Sequence, residues 1–174
     1  QSAKNCQISR LLSRLQERKM ARVLVGIGSN LGDKEKNIRD SIRLMEEKCR
    51  ILKTSSIYET EPVSFKDQDW FLNCAVEIET RLKPLKLIEF LKLIEMKLGR
   101  VKTIKNGPRT IDLDILFYDG ITVNGAGLII PHPRLHERLF VLEPLMEISP
   151  ELVHPALRKS VKELYSMIKG KDSK

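Results

Sequence analysis

No stretch of this 174-residue chain approaches the ~20 consecutive apolar residues of a membrane-spanning helix, so no membrane partner is expected. Cysteine is nearly absent: Cys6, Cys49 and Cys74 are scattered, odd in number and free of any CxxC spacing. That pattern argues against a disulfide framework or a structural zinc site and predicts free thiols in a reducing, cytoplasmic setting. Nucleotide-binding signatures are missing too. There is no Walker A sequence, no GxGxxG and no kinase-type glycine-rich loop, and "GIGSNLGD" lacks the Lys-Ser/Thr ending of a phosphate loop. Any nucleotide site must be built differently.

Excess charge is missing from the middle of the chain. The formal charge is +8, but residues 1–20 hold five Lys/Arg against one Glu, and residues 158–174 hold six against two acids. Residues 21–157 are left with 20 basic and 20 acidic side chains, so a nucleic-acid surface on the core, and a nucleic-acid partner, lose their support. With 41% hydrophobic and 31% charged residues the composition is globular. The length fits one domain with a real core.

Organisation follows from periodicity. Residues 1–20 are basic, with Ile8, Leu11, Leu12 and Leu15 at helical spacing. They read as a linker, a fusion remnant or an expression-vector extension, with a transit-peptide remnant and an organellar location as the alternative. The single domain is assigned to 21–174. Val23–Ile27 predicts a strand ending in a Gly28-Ser29-Asn30 turn. Asp33 caps a helix with an Ile38, Ile42, Met45, Cys49 stripe. Ile51 to Tyr58 reads as one β-rich run. In "WFLNCAVEIET", Phe71, Asn73, Ala75, Glu77 and Glu79 alternate with Leu72, Cys74, Val76 and Ile78, with Glu77 and Glu79 expected at solvent. Pro84 opens a second helix, buried through Leu87, Leu91, Ile94 and Leu98 and stopped at Gly99. A further strand follows. The order β-α-β-β-α-β predicts an α+β, ferredoxin-like fold, an antiparallel sheet with helices on one face. Short strands around 128–130 and helices near 135–146 and 157–168 are C-terminal additions.

The stretch with most chemical content is "GPRTIDLDILFYDG", residues 107–120. Ile111, Leu113, Ile115 and Phe117 alternate as a core-facing set, and Thr110, Asp112, Asp114 and Leu116 share the other face. Residues two apart on a strand lie roughly 7 Å apart on the same side, so Asp112 and Asp114 can hold a hard cation between them. Oxygen-only ligation by few carboxylates suits Mg²⁺, completed by water and phosphate. The tripeptide alone fits equally well a solvated face paired to Lys or Arg. Its surroundings add Arg100, Lys102, Lys105 and Arg109 upstream, and "PHPRLHER" downstream brings His132, Arg134, His136 and Arg138. Cations converging on a dicarboxylate are the equipment of phosphoryl transfer.

"VGIGSNLGD", "SSIYETEPV", "FLNCAVEIET", "GRV", "GPRTIDLDILFY" and "PHPRLHERLFVLEPL" occur in this order. From Val23 to Pro155 the chain thereby resembles the 6-hydroxymethyl-7,8-dihydropterin pyrophosphokinase family of folate biosynthesis. The resemblance implies a ferredoxin-like fold and transfer of the β,γ-diphosphoryl group of ATP to the pterin hydroxymethyl, releasing AMP. It implies that Asp112 and Asp114 ligate two Mg²⁺ ions and that Arg100 and Arg109 are catalytic contacts to substrate phosphates. Lys102, Ile115, His132 and Arg138 join those arginines on the ATP side. The implied pterin pocket is Asn30, Thr60, Val63, Phe71, Asn73 and Phe140. Two rings suit a flat heterocycle, and Asn73 suits its amide-like edge. Glu95 matches a supporting acid on the second helix. Asn106 stands where some members carry Trp, and Lys102 where Arg is often found, a point charge in place of a fork. The N-terminal segment is a candidate joint to another folate-pathway enzyme.

Taken singly, these residues have plainer readings. Phe71 and Phe140 fit a core, Asn73 an ordinary strand position, His132 a turn, Trp70 packing or a loop anchor, and His136 and His154 structural roles. Two rival functions share the pattern. One is an RNA-binding module of the same sheet-plus-helices layout. The other is a kinase that transfers only the γ-phosphate.

Overall fold

The computed structural model describes residues 20–63, 67–101, 107–125 and 127–172. Residues 1–19 with their apolar spacing, and Lys102, Lys105 and Asn106, lie outside them.

The apolar run of β1 (Ala21–Ser29) is flanked on both sides. β4 (Phe71–Thr80) and β5 (Asp112–Tyr118) each pair with it antiparallel. β2 (Cys49–Thr54) and the short β3 (Tyr58–Thr60) pair in succession with the far edge of β4, giving the order β2-β4-β1-β5 with β3 beside β4. α1 (Lys34–Met45) and α2 (Pro84–Lys97) cover one face. Their Ile38, Met45, Leu87, Leu91 and Ile94 meet Val23, Val25, Val76, Ile78 and Leu113 in one core. The helix ends follow the sequence signals. Asp33 accepts from the Lys36 N–H at 3.0 Å, Pro84 fills the first turn of α2, and Gly99 at φ 80° ends it where an L side chain would be strained. This is the ferredoxin-like arrangement read from the sequence. Cys49 and Cys74 are buried free thiols.

The additions cover part of the opposite face. After the hairpin β6 (Val123–Gly125) and β7 (Leu128–Ile130) come a 3₁₀ turn at Leu135–Glu137, α3 (Leu139–Ile148) and α4 (Val161–Asp172). Leu135, Leu142, Leu145, Ile148, Val161 and Leu164 pack on Leu24, Ala75, Leu116 and Phe117 as a second core.

Local departures from the sequence reading have physical causes. Ile51–Tyr58 is not one strand: Ser55 accepts the Ala75 N–H on its hydroxyl (2.9 Å), and β2 and β3 part around it. Cys49 begins β2 instead of extending the α1 stripe. Glu77 is only 7% exposed, bridged by Arg22 at 3.5 Å and Lys53 at 3.4 Å. Trp70 is 47% exposed and packs little. The last helix starts at Val161, because residues 153 and 160 are tied as a β-bridge. In β5, Val25 pairs with Ile115 and Leu24 with Phe117, leaving Leu116 as the extra residue of a β-bulge. Leu116 and Phe117 therefore both join the second core, and Tyr118 returns to the first.

Candidate active site

Two glycines make the floor of the site. Across the sheet, Gly28 pairs with Asn73 on one side and Asp112 on the other, and Gly26 pairs with Ala75 and Asp114. A Cβ on Gly26 would meet Leu116 at 3.2 Å. Lacking side chains, the pair leaves a cleft at the uncovered end of the second face. Asp112, Asp114, Arg109, His132 and Arg138 line it together with Thr60, Val63, Phe71, Asn73 and Phe140.

The acidic side rests on a chain of charges. Asp112 accepts from Arg100 at 2.6 Å and from Arg109 at 2.5 Å, one on each oxygen. Arg100 lies 2.6 Å from Glu95, which is buried and also accepts from Lys92 (2.7 Å) and from the Leu113 N–H (2.8 Å). Burial pushes the Asp112 carboxyl up, but Arg109 and Arg100 outweigh it and hold it below the usual carboxylate range. Asp114 goes the other way, raised by burial and then by the charge of Asp112. Burial raises Glu95 as well. Burial lowers His132, whose Nδ1 accepts from the Arg134 N–H at 3.3 Å, placing the ring hydrogen of the neutral imidazole on Nε2. Arg138 lies over the Phe140 ring at 5.6 Å.

On the other side, Asn73 donates to the Thr60 hydroxyl at 2.7 Å. Asn30 does not line the cleft. It is buried, donating to Gln68 (2.9 Å) and to the Asp69 carbonyl (3.0 Å), and it accepts the Arg109 N–H at 2.8 Å. It thus staples the approach to β4 to the approach to β5. Arg100 and Glu95 stand behind Asp112 and do not line the cleft either. Ile115 is buried in the helix-side core. Lys102 is outside the described residues. Gly26, Gly28 and Gln68 line the cleft with no periodic signal to mark them. Arg134 lines it too, and its signal was its place in "PHPRLHER". The face that an RNA-binding module of this layout would use is partly occupied by α3 and α4.

Known proteins share this chain's pattern. A family model described as 7,8-dihydro-6-hydroxymethylpterin-pyrophosphokinase matches residues 24–150. The "Folic acid synthesis protein FOL1" of Dictyostelium discoideum is 48% identical over 135 residues, covering 78% of this chain and 20% of that protein. The "2-amino-4-hydroxy-6-hydroxymethyldihydropteridine pyrophosphokinase" of Bacillus subtilis is 47% identical over 130 residues, covering 74% of this chain and 78% of that one. The crystal structure of wild-type Plasmodium falciparum HPPK-DHPS superposes with a TM-score of 0.73 at 18% identity, over 90% of this chain and 46% of that one. The chain therefore spans about a fifth of the length of its first curated relatives.

Proposed function

The chain belongs to the 7,8-dihydro-6-hydroxymethylpterin-pyrophosphokinase family, and from that premise we propose that it transfers the β,γ-diphosphoryl group of ATP to 6-hydroxymethyl-7,8-dihydropterin. The observation that carries this reading is the adjacency across Gly28. Asn73 and Asp112 are its two cross-strand neighbours, so a heterocycle held by Asn73 and phosphates held near Asp112 share one cleft. In the reaction the pterin hydroxyl oxygen bonds to the β-phosphorus. The bond to the α,β-bridging oxygen breaks, AMP leaves with that oxygen, and the hydroxyl proton passes to solvent. No general base is required if positioning supplies the rate.

The donor set fits Mg²⁺. Among the described residues no group of three or more His, Cys, Asp or Glu side chains is gathered for a metal, so the protein offers two carboxylates and leaves the rest of the shell to phosphate and water. Asp112 and Asp114 would hold the metal, two ions being expected, and when bound it neutralises triphosphate charge. Arg109 and Arg100 turn from Asp112 toward the phosphates, while His132 and Arg138 hold the nucleotide side and Lys102 joins them. Ile115, its side chain held in the helix-side core, would border the adenine through its backbone. Phe71 and Phe140 sandwich the pterin, Asn73 and Thr60 read its edge, and Val63 closes its rim. Asn30 and Glu95 keep Arg109 and Arg100 in place.

Incubation with ATP, Mg²⁺ and the reduced pterin alcohol, with nucleotides separated by chromatography, tests the reading. AMP in step with a diphosphorylated pterin supports it; ADP would mean γ-phosphate transfer and overturn it. Among the described residues no helix is long and apolar enough to cross a membrane, and a cytoplasmic location is part of the proposal. So is a joint to another folate-pathway enzyme through residues 1–20. A 20.0 kDa band for the protein in its native source would remove that joint.

A further inference from the structure

Resting on the ATP reading of the cleft, we propose that Arg134 is an additional ligand of the nucleotide phosphates, held on Glu137 in the free protein and released to the triphosphate when it binds. Arg134 leads into the 3₁₀ turn, and Leu135, fully buried, pins that turn to the second core. The turn is closed by the Leu135 N–H on the His132 carbonyl (3.0 Å) and the Glu137 N–H on the Arg134 carbonyl (3.2 Å). This short, braced segment sends His132, Arg134 and Arg138 to the same cleft.

The three guanidinium groups there differ in what holds them. In the free protein Arg109 is paired with Asp112. Arg138 lies against Phe140 and, among the described residues, forms no ion pair. Arg134 pairs with Glu137 at 3.2 Å, both side chains 53% exposed, the kind of surface pair that is readily exchanged. Burial, then the nearby charge of Arg134, weigh against the charged form of Arg138. Two guanidiniums facing one partly buried cleft repel, Asp114 and Asp112 offset part of that repulsion, and an anion with several oxygens relieves the rest through forked contacts. The triphosphate proposed for this cleft is such an anion. Arg134, more exposed than Arg109, meets it from the rim.

Binding of α,β-methylene-ATP with Mg²⁺, measured by calorimetry, tests the assignment. Arg134→Ala is expected to weaken it about tenfold. Glu137→Gln, which removes the competing carboxylate, should tighten it. Arg39→Ala on α1, an exposed arginine paired with Glu35 at 2.9 Å, controls for loss of one positive charge and should bind as wild type. Pterin affinity in Arg134→Ala should hold. An Arg134→Ala protein indistinguishable from Arg39→Ala overturns the proposal. So does Glu137→Gln weakening the nucleotide as much as Arg134→Ala, since the pair would then serve only to brace the turn. Wild-type protein that fails to bind the analogue at all would overturn the ATP reading itself, a result separate from either variant.

Discussion

A Cβ added to Gly28 would stand 3.0 Å from the side-chain oxygen of Asn73. Because the Asn73 nitrogen is already given to Thr60, the amide cannot turn aside without losing that bond. Gly28→Ala is therefore expected to raise KM for the pterin roughly tenfold while nucleotide-analogue affinity stays near wild type. Steady-state kinetics and calorimetry separate the two. Equal losses on both substrates would point to collapse of the whole cleft.

Asp112 and Asp114 should part company when each is neutralised. Asp112→Asn and Asp114→Asn are both expected to reduce turnover by 10²-fold or more, as loss of a group stabilising transition-state charge does. Their stabilities should move in opposite directions. Asp112→Asn strips the partner from Arg100 and Arg109 and should cost roughly 1–3 kcal/mol. Asp114→Asn removes a carboxylate that burial and Asp112 both disfavour, so the metal-free protein should melt about 2–4 °C higher. Thermal melts in EDTA check this; a lower melting temperature for Asp114→Asn would contradict the electrostatic account.

Glu95 never touches the cleft, yet it bears on Arg100. Glu95→Gln keeps an oxygen for the Leu113 N–H but loses the charge facing Lys92 and Arg100. Burial disfavours that charge despite its partners, so stability should hold or rise, while kcat/KM should fall as Arg100 loses one of its two anchors. Urea unfolding and kinetics on the same preparations decide. An unchanged kcat/KM would confine Glu95 to the fold.

Acid should weaken the fold through His154. Its Nδ1 accepts the N–H groups of Ala156 (3.3 Å) and Leu157 (3.2 Å), and its ring meets the edge of Phe117 at 5.7 Å. Burial, and then the charge of His136, hold the imidazole below its ordinary range. The unfolded chain therefore takes up the proton first. Stability is present above the ordinary imidazole value of ~6.5 and is lost as pH falls through it toward the folded value. His132, shifted the same way, adds to the slope. Melting temperatures between pH 7.5 and 5.5 should decline, and less so in His154→Asn; a variant with an unaltered slope would acquit this residue.

Much of the fold was legible because its signals are local. Asp33, Pro84 and Gly99 punctuate the helices as their chemistry requires, and the two-residue alternation of β4 places Asn73 and Ala75 opposite Cys74 and Val76. What was not legible depends on contacts between distant segments. Glu77 reads as solvent-facing by alternation, but Arg22 and Lys53 meet it on the covered face. Phe117 reads as helix-facing until the pairing with β1 inserts Leu116. In the candidate site, the aspartates and cations stand out by type. Asn30 is marked only by the resemblance, as a pterin-pocket residue, whereas the structure ties it to Gln68, Asp69 and Arg109, a placement settled only when the approaches to β4 and β5 meet.

The extra residue in β5 has a consequence for how this strand can change over time. Without Leu116 the chain would run straight from Ile115 to Phe117, and each would still face the core it faces now. In most strands losing one residue inverts everything downstream. Here the loss would leave both flanks in phase, and the change would fall on the cleft beside Gly26, where the Leu116 side chain packs. A single-codon deletion is thus a route by which the chain can reshape its cleft while keeping its two cores in register.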